Sequence, residues 1–158
     1  ARAEVIRLAQ RVLQAHAEIL QNDKQLANLI EQSPAADLTN ETGIGPVTAA
    51  TMLVAWAYPG RLRNEAAFAA LAGASPLPNS SGNTVRYRLN RGGDRQLNRA
   101  LNVIARHRTI HDPETQAYVE KRRIEGKTDR EIRRCLKRYL ARRIYRHLNQ
   151  SAHTAQRC

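Results

Sequence analysis

The chain has 158 residues, enough for one compact domain or for one domain with a long helix attached. Aromatic residues make up 4%, with one Trp and one Phe, so the core must be aliphatic and alanine-rich, which favours close-packed helices over a sheet. Lys and Arg number 26 against 14 Asp and Glu, a formal +12, and no run of 18 apolar residues offers a membrane span.

The first element predicted is a long helix. From Val5 to Leu29 a heptad is legible, with Val5, Val12, Ile19 and Leu26 on one seam and Leu8, Ala15, Asn22 and Leu29 on the other. This pattern predicts a coiled-coil helix over residues 1–33, its Val5–Leu29 heptads spanning roughly 40 Å at ~1.5 Å per residue. Asn22 is the sort of seam residue that fixes register. Spacing alone does not separate an intermolecular coil from a helix laid along its own domain. The amphipathic start also argues against a signal peptide. Ser33-Pro34 ends the helix.

Residues 34–149 are expected to form a helical domain. A short helix over about Ala35–Thr42 leads into Gly43-Ile44-Gly45-Pro46-Val47-Thr48-Ala49-Ala50, and a helix over 46–57 follows. Glycine permits a sharp turn at positive φ, and Pro46 suits a first helical position. Ala49 is small enough for the preceding helix to cross closely. Backbone N–H groups at the positive end of a helix make a phosphate cradle, so Gly43, Ile44, Gly45 and Thr48 are candidate backbone-clamp residues of a helix-hairpin-helix grip. An ordinary tight helical corner is the alternative.

Pro59-Gly60 breaks the chain, and Asn64 caps a helix reaching Ala72. Residues 73–83, rich in hydroxyls and turn formers, read as a loop, and the alternation over Thr84–Leu89 suits a short extended arm. Arg91-Gly92-Gly93-Asp94 turns into a helix running to about Ile110. Asp112-Pro113 opens the next, which closes near Gly126. Thr128-Asp129 opens the last, to about Leu148, with Ile132, Leu136, Tyr139, Leu140 and Ile144 as its buried stripe. Residues 150–158 are expected to be a disordered tail. Cys135 and Cys158 sit in unlike places, so no disulfide framework is expected and a reducing, cytoplasmic setting fits.

Charge divides this chain unevenly. Residues 1–83 carry six basic and seven acidic side chains, whereas residues 84–158 carry 20 basic and seven acidic. Arginine dominates the second part, as expected where forked donors meet phosphate oxygens. The footprint is that of a protein binding a polyanion, DNA or RNA, rather than of a solvated face.

Chemistry is harder to place. The acids lack metal-ligand spacing, so no two-metal site is expected in this chain. His107 and His111 stand four apart without a third ligand near in sequence, which suits a helix end touching phosphate or solvent better than a metal. Ser80-Ser81-Gly82 lies in the polar loop, followed by Arg86, Arg88 and Arg91, with Arg95 and Arg99 on the next helix. A hydroxyl attacking phosphorus needs access, a proton acceptor and cations for the pentacovalent oxyanion. The loop supplies access and cations but no evident base, so a polar turn that touches DNA remains the simpler account of these residues.

From about Leu38 to His147 the chain resembles the C-terminal domain of the Piv-like, DEDD-type insertion-sequence transposases, the one-ten insertion-sequence group. Its landmarks are the 43–50 octapeptide, Phe68-Ala-Ala-Leu-Ala-Gly-Ala-Ser-Pro before Ser80-Ser81-Gly82, Arg91-Gly-Gly-Asp-Arg-Gln-Leu-Asn-Arg-Ala-Leu, His111-Asp-Pro, Tyr118 and Gly126-Lys127. Their joint order over about 110 residues carries the likeness. The resemblance implies a DNA recombinase that pairs this domain with an N-terminal RuvC-like domain binding Mg²⁺, and no cofactor in this chain. It implies a phosphoserine link to DNA through Ser81, five residues after Pro76, with Ser80 the neighbouring contender. It also implies a structured guide non-coding RNA, and dimerisation near the long helix. The Mg²⁺-binding half is missing, so the fragment is expected to bind nucleic acid without cutting it. Gly93 departs from the family's shorter Arg-Gly-Asp or Arg-Gly-Asn turn. A non-catalytic DNA- or RNA-binding module and an oligomerisation scaffold are the alternatives from other classes.

Overall fold

The computed structural model describes residues 1–78, 87–88, 90 and 92–155. Among the described residues there are six α-helices: α1 (Arg2–Glu31), α2 (Pro46–Trp56), α3 (Glu65–Leu71), α4 (Arg95–His111), α5 (Pro113–Ile124) and α6 (Asp129–Ala155). A 3₁₀ helix at Ala36–Asn40 joins α1 to the turn before α2. The architecture is all-α, as composition implies.

The helix starts follow local chemistry. Asn64 Oδ1 accepts from Ala67 N at 2.9 Å, and Asp94 Oδ1 from Leu97 N at 2.9 Å. Asp112 Oδ2 accepts from Thr115 N at 3.0 Å, with Pro113 as the first helical residue. At α6 a reciprocal capping box forms: Thr128 N donates to Glu131 Oε2 at 2.9 Å, and Glu131 N donates to Thr128 Oγ1 at 3.4 Å.

Asp112 offers a pH test. Hydrogen bonds from the Thr115 side chain first, then from its backbone, with the Arg108 charge adding, hold its carboxyl below the ordinary value of 3.8 despite partial burial. Because the folded pKa lies below the unfolded one, the stabilisation is full above pH 3.8 and is lost as pH falls through the folded value. Asp112→Ala is expected to cost about 1 kcal/mol at neutral pH. Urea denaturation across pH should show the wild type losing stability on acidification, and the variant losing less.

α4 and α6 form the centre. α6 packs against α2, α3, α4 and α5, and α4 against α2 and α5. Leu97, Leu101 and Ile104 of α4 meet Ile144 and Leu148 of α6, with Met52, Phe68 and Leu38 filling the space. Ala49, Ala69, Ala105 and Ala141 are almost fully buried, which lets helix axes approach closely. Ala49 is therefore a packing residue, as its size suggests.

Three expectations need correction. Tyr139 is 56% exposed and does not belong to the buried stripe of α6, which consists of Ile132, Leu136, Leu140, Ile144 and Leu148. Standing one residue before Leu140, Tyr139 is turned about 100° from it around the helix. Instead it rims a cleft with Tyr118 and Arg143. The last helix does not end near Leu148 but continues to Ala155. Leu148 and Ala152 are buried, and Asn149 Oδ1 accepts from Trp56 Nε1 at 3.3 Å, so tertiary contacts hold the turns that looked frayed. Residues 156–158 lie outside the described residues. Leu77–Pro78, expected within the loop, form a short strand, β1, paired antiparallel with β2 (Tyr87–Arg88) in the register Leu77↔Arg88.

Spacing leaves open whether α1 pairs with another chain or lies along its own domain; before its last turns it does not lie along its own domain. Val5, Val12, Ile19 and Leu29 are 57–68% exposed, and the whole helix before Leu26 is exposed. Only Ile30 is buried, with Leu26 and Ala27 partly covered. The seam on the first six turns has no intramolecular partner among the described residues.

Candidate nucleic-acid interface

The turn between the 3₁₀ helix and α2 is built against α4. Gly43 has φ +85°, and a Cβ there would stand 3.2 Å from His107 Cβ and 3.3 Å from the Ile104 carbonyl oxygen. Glycine is thus favoured at 43 by its positive φ, and the space beside it is tight. Gly45 is different. Its φ of −103° suits any residue, and a Cβ there would meet nothing within 4 Å.

The hairpin N–H groups are partly engaged. Ile44 N donates to the Glu41 carbonyl at 3.0 Å, and its side chain is buried. Gly45 N donates to Thr48 Oγ1 at 2.9 Å, and Thr48 Oγ1 donates to the Gly45 carbonyl at 2.9 Å. The N–H groups of Val47 and Thr48 have no acceptor among the described residues. Those two donors, at the positive end of α2, are what this turn offers an anion.

A buried ionic link orients the hairpin. Arg108, only 8% exposed, donates through Nη1 to Glu41 Oε2 at 3.3 Å and through Nε to Asp112 Oδ2 at 3.4 Å. Arg143 of α6 reaches Glu41 Oε1 at 3.1 Å. Glu41, just before the turn, is thereby held between α4 and α6. His107 and His111 stack with ring centroids 4.3 Å apart beside Gly43. Among the described residues no group of three or more His, Cys, Asp or Glu is placed to hold a metal ion, so the donor set here does not fit Mg²⁺.

The second candidate region lies at the other end of α4. Ser80, Ser81, Arg86 and Arg91 are outside the described residues, but both approaches to their segment are described. Gly73 (φ +64°) and Gly93 touch backbone to backbone. A Cβ on Gly93 would lie 2.4 Å from Gly73 N and 2.8 Å from the Leu71 carbonyl oxygen. The free carbonyls at the C-terminus of α3 receive donors from the far side of the loop. Asp94 N donates to Leu71 O at 2.6 Å, Asn98 Nδ2 to Ala72 O at 2.5 Å, and Asn90 Nδ2 to Ala70 O at 3.3 Å. Gly93 is the glycine that closes the base of the loop.

Beside this base opens a cleft of about 260 Å³, lined by the 73–76 turn, Arg88, Asn90, Lys127, Glu131, Arg134, Cys135 and Arg138. Arg88 is exposed on β2, and Arg95 and Arg99 are exposed on the first turns of α4. Lys127 enters the sequence analysis only as a landmark of the resemblance, and Arg134 and Arg138 are not singled out there. The signal for those two is their four-residue spacing on α6. Lys137, next to them, is half-buried and donates through Nζ to Asn98 Oδ1 at 3.0 Å. Burial first, and then the Arg133 and Arg134 charges, push its ammonium below the usual lysine range.

From Asn98, at the loop base, to His107, beside the hairpin, the axis of α4 rises about 14 Å. The structure therefore brings Arg88, Arg95 and Arg99 to one end of α4, and Gly43, Ile44, Gly45 and Thr48 to the other.

Residues 35–120 match the sequence profile described as the transposase IS116/IS110/IS902 family. The chain belongs to this family. It is also 32% identical over 123 residues to a 43.6 kDa protein of insertion element IS110 from Streptomyces coelicolor. That match covers 77% of this chain and 30% of the relative, so the chain spans under a third of that family member's length. The family profile takes in the hairpin, the loop base and the whole of α4, the parts whose geometry is described above. No described helix is long and apolar enough to cross a membrane.

Proposed function

We propose that this chain is the DNA-engaging, serine-bearing C-terminal part of a DEDD-type, Piv-like transposase of its family. Ser81, with Ser80 adjacent, attacks a DNA phosphodiester. Arg86, Arg88 and Arg91 hold the developing oxyanion. Arg95 and Arg99 extend the cationic track along α4. At the far end of that helix the hairpin of Gly43, Ile44, Gly45 and Thr48 grips a second stretch of backbone through the α2 N-terminus, in the manner of a helix-hairpin-helix. Mg²⁺ belongs to a RuvC-like domain elsewhere in the protein, where it activates the strand-cutting chemistry. A guide non-coding RNA contacts the Arg-rich helices, and the exposed α1 seam over residues 1–32 pairs with a second copy of the chain.

The observation that carries this reading is the closed loop base. The segment holding both serines leaves and returns through one Gly73–Gly93 contact, which opens onto Arg88 and the α6 cations. Membership of a transposase family makes DNA the polyanion expected there.

A salt titration tests the DNA-binding part directly. With ~6 phosphates neutralised, log Kd against log salt should have a slope magnitude of about 5, at ~0.9 per phosphate. Fluorescence anisotropy with a labelled duplex reads it. A flat titration would remove the polyanion reading, and with it the transposition role.

A further inference from the structure

Six arginines of the basic half are held in ion pairs. Arg108, Arg122, Arg123, Arg142, Arg143 and Arg146 each meet a carboxylate. The cleft beside the loop base is unlike this. Arg88, Lys127, Arg134 and Arg138 line it, and none has a carboxylate within 4.0 Å among the described residues. The one acid in its wall, Glu131, is engaged with Thr128, accepting from its N–H at 2.9 Å and from its hydroxyl at 2.7 Å. Arg134 and Arg138 stand four apart on α6, a spacing at which like charges repel. Four cations thus line a concavity with a single carboxylate, Glu131, whose charge is felt by Arg134 and Lys127 and leaves the lining with a surplus of positive charge. Such an arrangement lowers its energy when an anion enters.

The size of the cleft limits the anion. At about 260 Å³ it falls below the roughly 300–1,000 Å³ typical of sites for drug-sized ligands, and it suits a single phosphodiester group. The guanidinium fork of arginine matches phosphate oxygens two at a time. Covalent geometry then ties the cleft to the reacting strand. Pro76 is in its wall, and Ser81, five residues on, can lie no more than about 17 Å away along an extended chain.

We propose that this cleft holds one backbone phosphate of the DNA strand that the serine loop engages, with Arg134 and Arg138 as its main ligands and Arg88 and Lys127 closing it. The inference rests on the reading of the loop as strand-joining machinery. It adds a binding site on α6, more than 40 residues downstream of that loop, that positions the strand.

Cys135 lines the same cleft and is half-buried, so its accessibility reports occupancy. With Cys158→Ser removing the other thiol, DTNB modification of the 158-residue chain would be followed with and without a 20-nucleotide single-stranded DNA, saturation being checked by anisotropy. Bound DNA is expected to slow modification of Cys135 about tenfold, since a thiol reacts only as far as reagent reaches it. Arg134→Gln/Arg138→Gln should abolish that protection, weaken binding and lower the salt-slope magnitude by about 0.7, the loss of one phosphate contact on a single strand. Arg133→Gln on the same helix should leave the protection in place. Saturating DNA with an unchanged DTNB rate overturns the cleft proposal while leaving DNA binding intact. Absence of any DNA saturation at low salt overturns the underlying reading as well. RNA of the same sequence protecting Cys135 where DNA does not would overturn the assignment to a DNA strand.

Discussion

In a transposase of full family length, Ser81→Ala is expected to abolish covalent protein–DNA linkage and strand joining while leaving DNA binding within about twofold, since one neutral hydroxyl contributes little beside the cationic contacts that dominate affinity. The chemistry explains the asymmetry. In the proposed reaction the serine hydroxyl gives up its proton and its oxygen forms an O–P bond, while the deoxyribose oxygen leaves and takes up a proton, so one phosphoester replaces another and rejoining needs no external energy source. Removing the nucleophile removes the reaction coordinate itself, and losses of roughly 10⁴-fold or more are usual for such groups. Ser80→Ala should retain activity. The readout is a denaturing gel for the DNA-linked protein, alongside a strand-transfer assay. Loss of linkage in Ser80→Ala with retention in Ser81→Ala would reassign the nucleophile, and retention in both would leave the serine without a chemical role.

Gly93→Ala carries the largest expected effect on folding. The added methyl would stand 2.4 Å from Gly73 N and 2.6 Å from Gly73 Cα, both backbone atoms that cannot swing aside. The loop base must open, and with it go the bonds from Asp94 N to Leu71 O and from Asn98 to Ala72 O. Overpacking together with lost hydrogen bonds suggests a cost of about 3 kcal/mol. For a domain of this size that corresponds to a melting temperature roughly 10 °C lower. Gly45→Ala is the control. Its Cβ meets nothing within 4 Å and its φ is ordinary, so its stability cost should stay under about 1 kcal/mol. Thermal unfolding followed by circular dichroism compares the two. Equal melting temperatures would show that the two loop ends are not in contact.

The contrast between these glycines shows how far local sequence reaches. Gly43 and Gly45 look equivalent in an octapeptide, but only Gly43 sits at positive φ against His107, a residue 64 positions away. Gly93, which looked like an irregularity, is the most tightly enclosed glycine among the described residues. Similarly, Ile44 reads as part of a backbone clamp, yet its side chain belongs to the core and its N–H closes a turn to Glu41.

By itself, the sequence determined the all-α class, the starts of α3, α4, α5 and α6, the long first helix and the cationic second half. Each of these depends on residues within one or two turns of each other: a cap and its N3 amide, an apolar period, a proline at a first position. The tertiary structure alone decided that α1 projects away from its domain, that α6 runs on to Ala155, that Tyr139 faces out, and that hairpin and loop base occupy opposite ends of α4. It also gathered Arg88, Lys127, Arg134 and Arg138 around one cleft. These features arise from contacts between segments far apart in the chain, where the fit of backbone on backbone and the balance of charge across a gap depend on packing that no local pattern encodes.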